Sequence, residues 1–245
     1  ITFRKGLVPG YLEQIPMFDD NFTGAMVLNL AFKNIYNMQT SMEKLEHEMS
    51  EVNCSDDVMQ EYSALQLEYE LAGGYDVEEK ISKVIKGLNI DDNMLISRFN
   101  ILSGGEKTKI MLGRILLEAP ELLLLDEPSN HLDVSSIEWL EQYIGNYKGC
   151  VVIVSHDRYF LDKSINKIIE ISSTSASIYH GNYTYFAKEK RRRYEEEFNR
   201  YKQNQKDIHK RNNKEYYVTH INFVHLIFAL NLSYDHILWI VYITL

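Results

Sequence analysis

The chain has 245 residues, is 45% hydrophobic and 25% charged, and carries a formal charge of −9. This suits a soluble globular chain able to bury a core, and the acidic total excludes a globally basic nucleic-acid binder. Its two cysteines, Cys54 and Cys150, lie far apart with no CxxC spacing, so neither a disulfide framework nor a cysteine metal site is expected, and a reducing, cytoplasmic compartment is the default.

The chain opens "ITFRKGLVPGYLEQ", without an apolar signal-like stretch. Residues 1–20 place turn formers around an apolar centre and predict a short strand or two ending at Pro16. From Met26 the period becomes helical. Met38, Met42, Leu45 and Met49 fall on one stripe with charged residues between them. "NCSDD" at 53–57 interrupts, with Ser55 or Asp56 as a cap, and Val58–Leu71 resumes before Gly73-Gly74. The two segments predict a helical hairpin, and 77–88 and 91–98 predict two shorter helices.

Beyond residue 100, "ELLLLDEP" (121–128) and "GCVVIVSHD" (149–157) are apolar runs without alternation, which suit parallel strands covered on both faces. Helical segments 106–117 and 134–147 separate them, giving an α/β layer. Residues 167–186 alternate like a small antiparallel pair. The stretch 188–217 then sets eleven bases against five acids before Glu215, with Tyr194, Phe198 and Tyr201 as an aromatic stripe. It reads either as a solvated helix face or as a contact for RNA phosphate. The apolar tail 218–245 lacks Lys and Arg but contains Asp235, Asn222 and Asn231, which argue against a membrane span. It predicts a segment foreign to the domain before it, with a hydrophobic anchor as the lesser alternative.

Several groups could act on a phosphoanhydride. A buried strand ending in Asp126-Glu127 delivers two carboxylates to a sheet edge, one suited to Mg²⁺ and the next to polarising water. "LSGGEK" puts Ser103 and the amides of Gly104 and Gly105 at a helix start, where anions bind. His156 follows the second strand and could reach a phosphate. Singly, each has a commonplace reading as a cap, a turn or a structural histidine.

Their order is more specific. Gln14, a helical insert, Leu102–Glu106, "LLLLDEP", Asn130–Asp133 and then His156 together resemble the ATP-binding-cassette ATPases. The resemblance implies an α/β cassette fold with ATP and Mg²⁺ as ligands. It makes Gln14 the Q-loop residue and a Mg²⁺ ligand, Ser103-Gly104-Gly105 the signature, and Asp126 the Walker B Mg²⁺ ligand. It makes Glu127 the catalytic carboxylate, Asp133 the end of the D-loop and His156 the switch histidine. "DEPSNHLD", "VSHDRYFLD" and "YHGNYTYFAKEKRRRYEEE" are similar to the ABC-F group, soluble tandem cassettes that act on ribosomes. Ser129 stands where that pattern has Thr and keeps the hydroxyl.

The implied organisation is a Q-loop end of the cassette core over 1–20 and a helical subdomain over 21–100 with an arm-like hairpin. The signature and switch part of the core follows over 101–187, then a basic linker from 188 to 217 and the apolar tail. No GxxxxGK[ST] occurs in the sequence, so the phosphate loop is expected upstream of Ile1 and the chain alone is expected to be inactive. The implied partners are a second cassette, and ribosomal RNA and tRNA through the linker, with no membrane. A nucleotide-binding subunit of a transporter and a degenerate, non-catalytic piece are the competing readings.

Overall fold

The computed structural model describes residues 6–11, 16, 18–50, 56–171, 175–212 and 240–241. Two compact units divide between Ile153 and Val154.

In the first unit, strand β1 (Pro9–Tyr11) pairs in parallel with β2 (Leu122–Asp126), in the register Pro9↔Leu122, Gly10↔Leu123 and Tyr11↔Leu124. Strand β3 (Cys150–Val154) follows β2 in the sheet order. Leu123 and Leu125 are fully buried whereas Leu122 and Leu124 are half-buried. The apolar run thus has one tightly packed face and one partly open face, rather than the two covered faces expected of it.

Between β1 and β2 lies the helical insert. Thr23 caps α1 (Gly24–Asn29) by accepting from the Met26 amide at 3.3 Å. A 3-10 turn leads into α2 (Lys33–Met49), which packs along α3 (Asp56–Leu71) as the predicted hairpin. Leu45 is buried in that seam, with Met38, Met42 and Met49 half-buried on the same stripe. Gly73 takes φ +73° just past α3, the left-handed stop that glycine adopts without strain. Helices α4 (Val77–Gly87) and α5 (Asp92–Ile96) match the two shorter predicted helices. Cys54 and Ser55 lie outside the described residues; Cys150 is half-buried at the start of β3.

Helix α6 (Gly104–Glu118) is the axis of this unit: Ile110, Leu112, Ile115 and Leu116 are buried, and α1 and α4 pack on it. Helix α7 (Val134–Gly145) joins β2 to β3 and buries Ser136, Leu140 and Ile144 along one stripe. The fold class is α/β, as the apolar runs and their intervening helices predict.

The second unit holds α8 (Arg158–Ser164) and the antiparallel pair β4 (Lys167–Ile171) and β5 (Ala176–His180), in the register Lys167↔His180 and Ile171↔Ala176. Helix α9 spans Tyr183–Asn212 and starts before the expected residue 188. Residues 183–186 therefore open the helix instead of closing the antiparallel pair. The cause is a double cap: Asn182 Oδ1 accepts from the Tyr185 amide at 3.0 Å, and Asp162 Oδ1 from the Thr184 amide at 2.6 Å. Phe186 is then buried edge-to-face on Tyr179, with ring centroids 4.9 Å apart. The linker's end at 213–217 and the tail lie outside the described residues, apart from the short strand β6 (Ile240–Val241).

Candidate functional site

The start of α6 is built by a capping box. Ser103 Oγ accepts from the Glu106 amide at 3.4 Å, and Glu106 Oε2 accepts from the Ser103 amide and from the Ser103 hydroxyl, each at 2.7 Å. The Ser103 hydroxyl and amide hold the Glu106 carboxyl below its ordinary range. The box uses the amides of Ser103 and Glu106 and leaves those of Gly104 and Gly105 pointing out of the helix's positive end. A Cβ on Gly104 would meet nothing within 4 Å, so the space before the helix is open. An anion with several acceptor oxygens fits these donors.

The turn after β2 stands against this helix start. Asp126 is exposed at the end of the strand, and an exposed carboxylate at a sheet edge suits a hard cation. Glu127 follows at φ +45° and His131 at φ +66°, two side-chain-bearing residues in the left-handed region. The Asn130 amide donates to the Glu127 carbonyl at 3.1 Å and the Leu132 amide to the Ser129 carbonyl at 3.2 Å, which winds the segment into a tight double turn. A Cβ on Gly105 would lie 3.3 Å from His131 Cβ, so glycine is what lets the helix start and this turn approach.

Asp133 ties the two together. Its Oδ1 accepts from the Ser135 hydroxyl at 2.6 Å and caps α7 by accepting from the Ser136 amide at 3.0 Å. Its Oδ2 accepts from the Ser136 hydroxyl at 3.1 Å, from Asn89 Nδ2 at 3.4 Å and from Lys109 Nζ at 3.5 Å. The Ser135 hydroxyl first, then the Ser136 amide and hydroxyl and the Asn89 side chain, hold the carboxyl well below the usual carboxylate range. Lys109 is buried on α6, and an ammonium so placed needs a carboxylate partner.

Ser103, Gly104, Gly105, Asp126, Glu127 and Asp133 thus share one unit, and the helix start meets the turn through Gly105 and Lys109. Gln14 lies outside the described residues. His156 belongs to the second unit, exposed between buried Ser155 and half-buried Asp157. The Asp157 amide donates to Ser155 Oγ at 3.1 Å, and Asp157 Oδ1 caps α8. Sequence reasoning missed Lys109 and Asn89. The signal for Lys109 was available: it lies at i−3 and i−7 from Leu112 and Leu116, a cation on an apolar face. Asn89 gives no comparable signal, since a single Asn after a helix reads as a turn. Among the described residues no group of three or more His, Cys, Asp and Glu is arranged to hold a metal ion.

Residues 20–130 match the family described as ABC transporter. The protein YdiF of Bacillus subtilis is 42% identical over 153 residues, 62% of this chain and 24% of that protein. The energy-dependent translational throttle protein EttA of Haemophilus influenzae is 32% identical over 195 residues, covering 79% of this chain and 35% of that protein. The tylosin resistance ATP-binding protein TlrC of Streptomyces fradiae is 31% identical over 192 residues, 75% of this chain and 35% of that protein. This chain therefore spans between 24% and 35% of the length of these relatives.

Fold, motif order and these relatives agree: the chain belongs to the ATP-binding-cassette ATPases. Within them it carries an ABC-F cassette.

Proposed function

We propose that this chain is the signature-and-carboxylate portion of an ATP-hydrolysing cassette in a ribosome-associated protein. The observation that carries the reading is the approach of the α6 start to the Glu127–Asp133 turn, with Gly105 against His131. Ser103 and the amides of Gly104 and Gly105 would bind phosphate oxygens of an ATP whose other side is held by a facing cassette. Asp126, with Gln14, would hold the Mg²⁺ of a second ATP, the one seated on this cassette's own phosphate loop, where the ion supplies charge neutralisation on the phosphates. Glu127 would orient and polarise the attacking water, and His156 would hydrogen-bond the terminal phosphate. Asp133 keeps the turn in register with the helix through Lys109.

The sequence contains no GxxxxGK[ST], and the cradle it would supply belongs in this reading to another segment. The ribosome enters through the basic helix α9 and the similarity to a relative named as a translational throttle. The similarity to a tylosin resistance protein favours a second reading, protection against a ribosome-directed drug. A transport role is less favoured, because "SNHLD" and "GNYTYFAKEKRRR" are similar to the ABC-F group.

The test uses a two-cassette protein carrying this chain. Glu127→Gln is expected to lower ATP turnover about 100-fold or more while ATP-dependent sedimentation with ribosomes persists. Unchanged turnover would remove Glu127 as the base. Failure to sediment with ribosomes at any nucleotide state would remove the ribosomal role and leave transport as the better reading.

A further inference from the structure

Helix α7 has a second face. Beside its buried stripe lie Trp139 and Tyr143, and Tyr147, two residues past the helix end, continues their four-residue spacing, with ring centroids 5.3 and 5.9 Å apart. This aromatic ladder walls a cavity of about 390 Å³ at the far end of α6, beside Ala119. A small-molecule site has about 300–1,000 Å³, and α6 places this cavity roughly 20 Å along its axis from Gly104.

Two of the three rings are tied at their polar ends. The Tyr143 hydroxyl donates to the Leu116 carbonyl at 2.7 Å and the Tyr147 hydroxyl to the Pro120 carbonyl at 2.5 Å. Trp139 lies over Gly87 of α4, where a Cβ would come within 2.4 Å of the indole nitrogen.

The rim is cationic. Lys83 of α4 and Lys148 line the cavity and, among the described residues, neither makes an ion pair. Among the described residues no acid lines it, although the chain as a whole carries −9. The side-chain amides of Gln142 and Asn146 complete the lining with groups able to donate and accept.

We propose that this cavity is a nucleotide-binding site distinct from the signature end of α6. Aromatic surface suits a planar base, paired lysines suit its phosphate, and the amides suit base edges. A nucleotide carries all three in one ligand, either free or as a residue of single-stranded RNA.

The test exploits the two tryptophans, Trp139 and Trp239. In a Trp239→Phe background Trp139 is the only indole, and its fluorescence is titrated with AMP in the absence of Mg²⁺. Saturable quenching is expected, weaker with adenosine or ribose 5-phosphate than with AMP. Lys83→Gln with Lys148→Gln, both exposed positions, should weaken AMP at least tenfold with circular dichroism unchanged. Gly104→Ala should leave the titration as it was, which separates this site from the one proposed at the helix start. A parallel titration with single-stranded oligo(A) distinguishes the sources: tighter quenching that AMP competes away assigns the site to RNA, and quenching by AMP alone assigns it to the free nucleotide. No quenching by either at millimolar concentration, or quenching indifferent to the two lysine substitutions, overturns the proposal.

Discussion

Gly104 and Gly105 are neighbours with different reasons to be glycine. Beside Gly104 there is empty space, and beside Gly105 stands His131. Gly104→Ala is therefore expected to leave the thermal midpoint unchanged or slightly raised while lowering ATP turnover in a two-cassette protein, because the methyl enters the space a phosphate needs. Gly105→Ala should instead destabilise the fold by about 1–3 kcal/mol through overpacking against the turn. Calorimetric melting of both variants decides: equal losses of stability would mean that the space before Gly104 has no ligand-related purpose. The residue scale also shows what a linear reading misses. Ser103, Asp126 and Glu127 stand out because their neighbours in sequence define them. Lys109 matters because of Asp133, 24 positions away, and no local pattern names a partner at that distance.

At the scale of elements, apolar runs and helical periods carried most of the fold. Leu122–Leu125 and Val151–Ile153 announced strands, and the Met38–Met49 stripe announced a packing face. The start of α9 was only half legible: "GNYTY" has the composition of a turn, its Asn182 supplies one cap, and the second cap, Asp162, comes from another element. The join between α6 and β2 has the same character. Ala119 leaves α6 in the left-handed region, at φ +44°, and tyrosine hydroxyls from the α7 side reach the carbonyls of Leu116, in the last turn of α6, and of Pro120 just past it. Burial pushes the Tyr143 hydroxyl up to about 12. A raised phenol keeps its stabilising share intact below pH 10, and that share is lost as pH rises through the folded value. Tyr143→Phe should cost about 1 kcal/mol at neutral pH and flatten the alkaline fall in stability. Denaturant melts between pH 7 and 12 measure both, and an unchanged alkaline limb would show that Tyr143 ionises as freely as a surface tyrosine.

Across the whole molecule, charge is segregated. The sequence totals −9, yet α9 alone sets ten bases against five acids. Part of that positive charge is already used: Glu189 pairs with Arg192 and Arg193 and is held down at about 2, and Lys190 pairs with Glu170. Arg193 also lies 4.6 Å over the Tyr179 ring. Lys188, Arg191, Arg200, Lys202 and Lys206 make no ion pair with a described residue. If those five meet RNA phosphates, log affinity should fall against log salt with a slope of roughly −4. Filter binding of ribosomal RNA between low and physiological salt measures it; a slope near zero would reassign α9 to a solvated spacer.

The left-handed Glu127 sets two selective pressures against each other. Its backbone, at φ +45°, is one that glycine or asparagine occupies with less strain than glutamate. Breeding this chain for heat tolerance alone would drift the position toward those residues, and breeding it for turnover would hold the carboxylate in place. A lineage that keeps glutamate there, generation after generation, is one still using it.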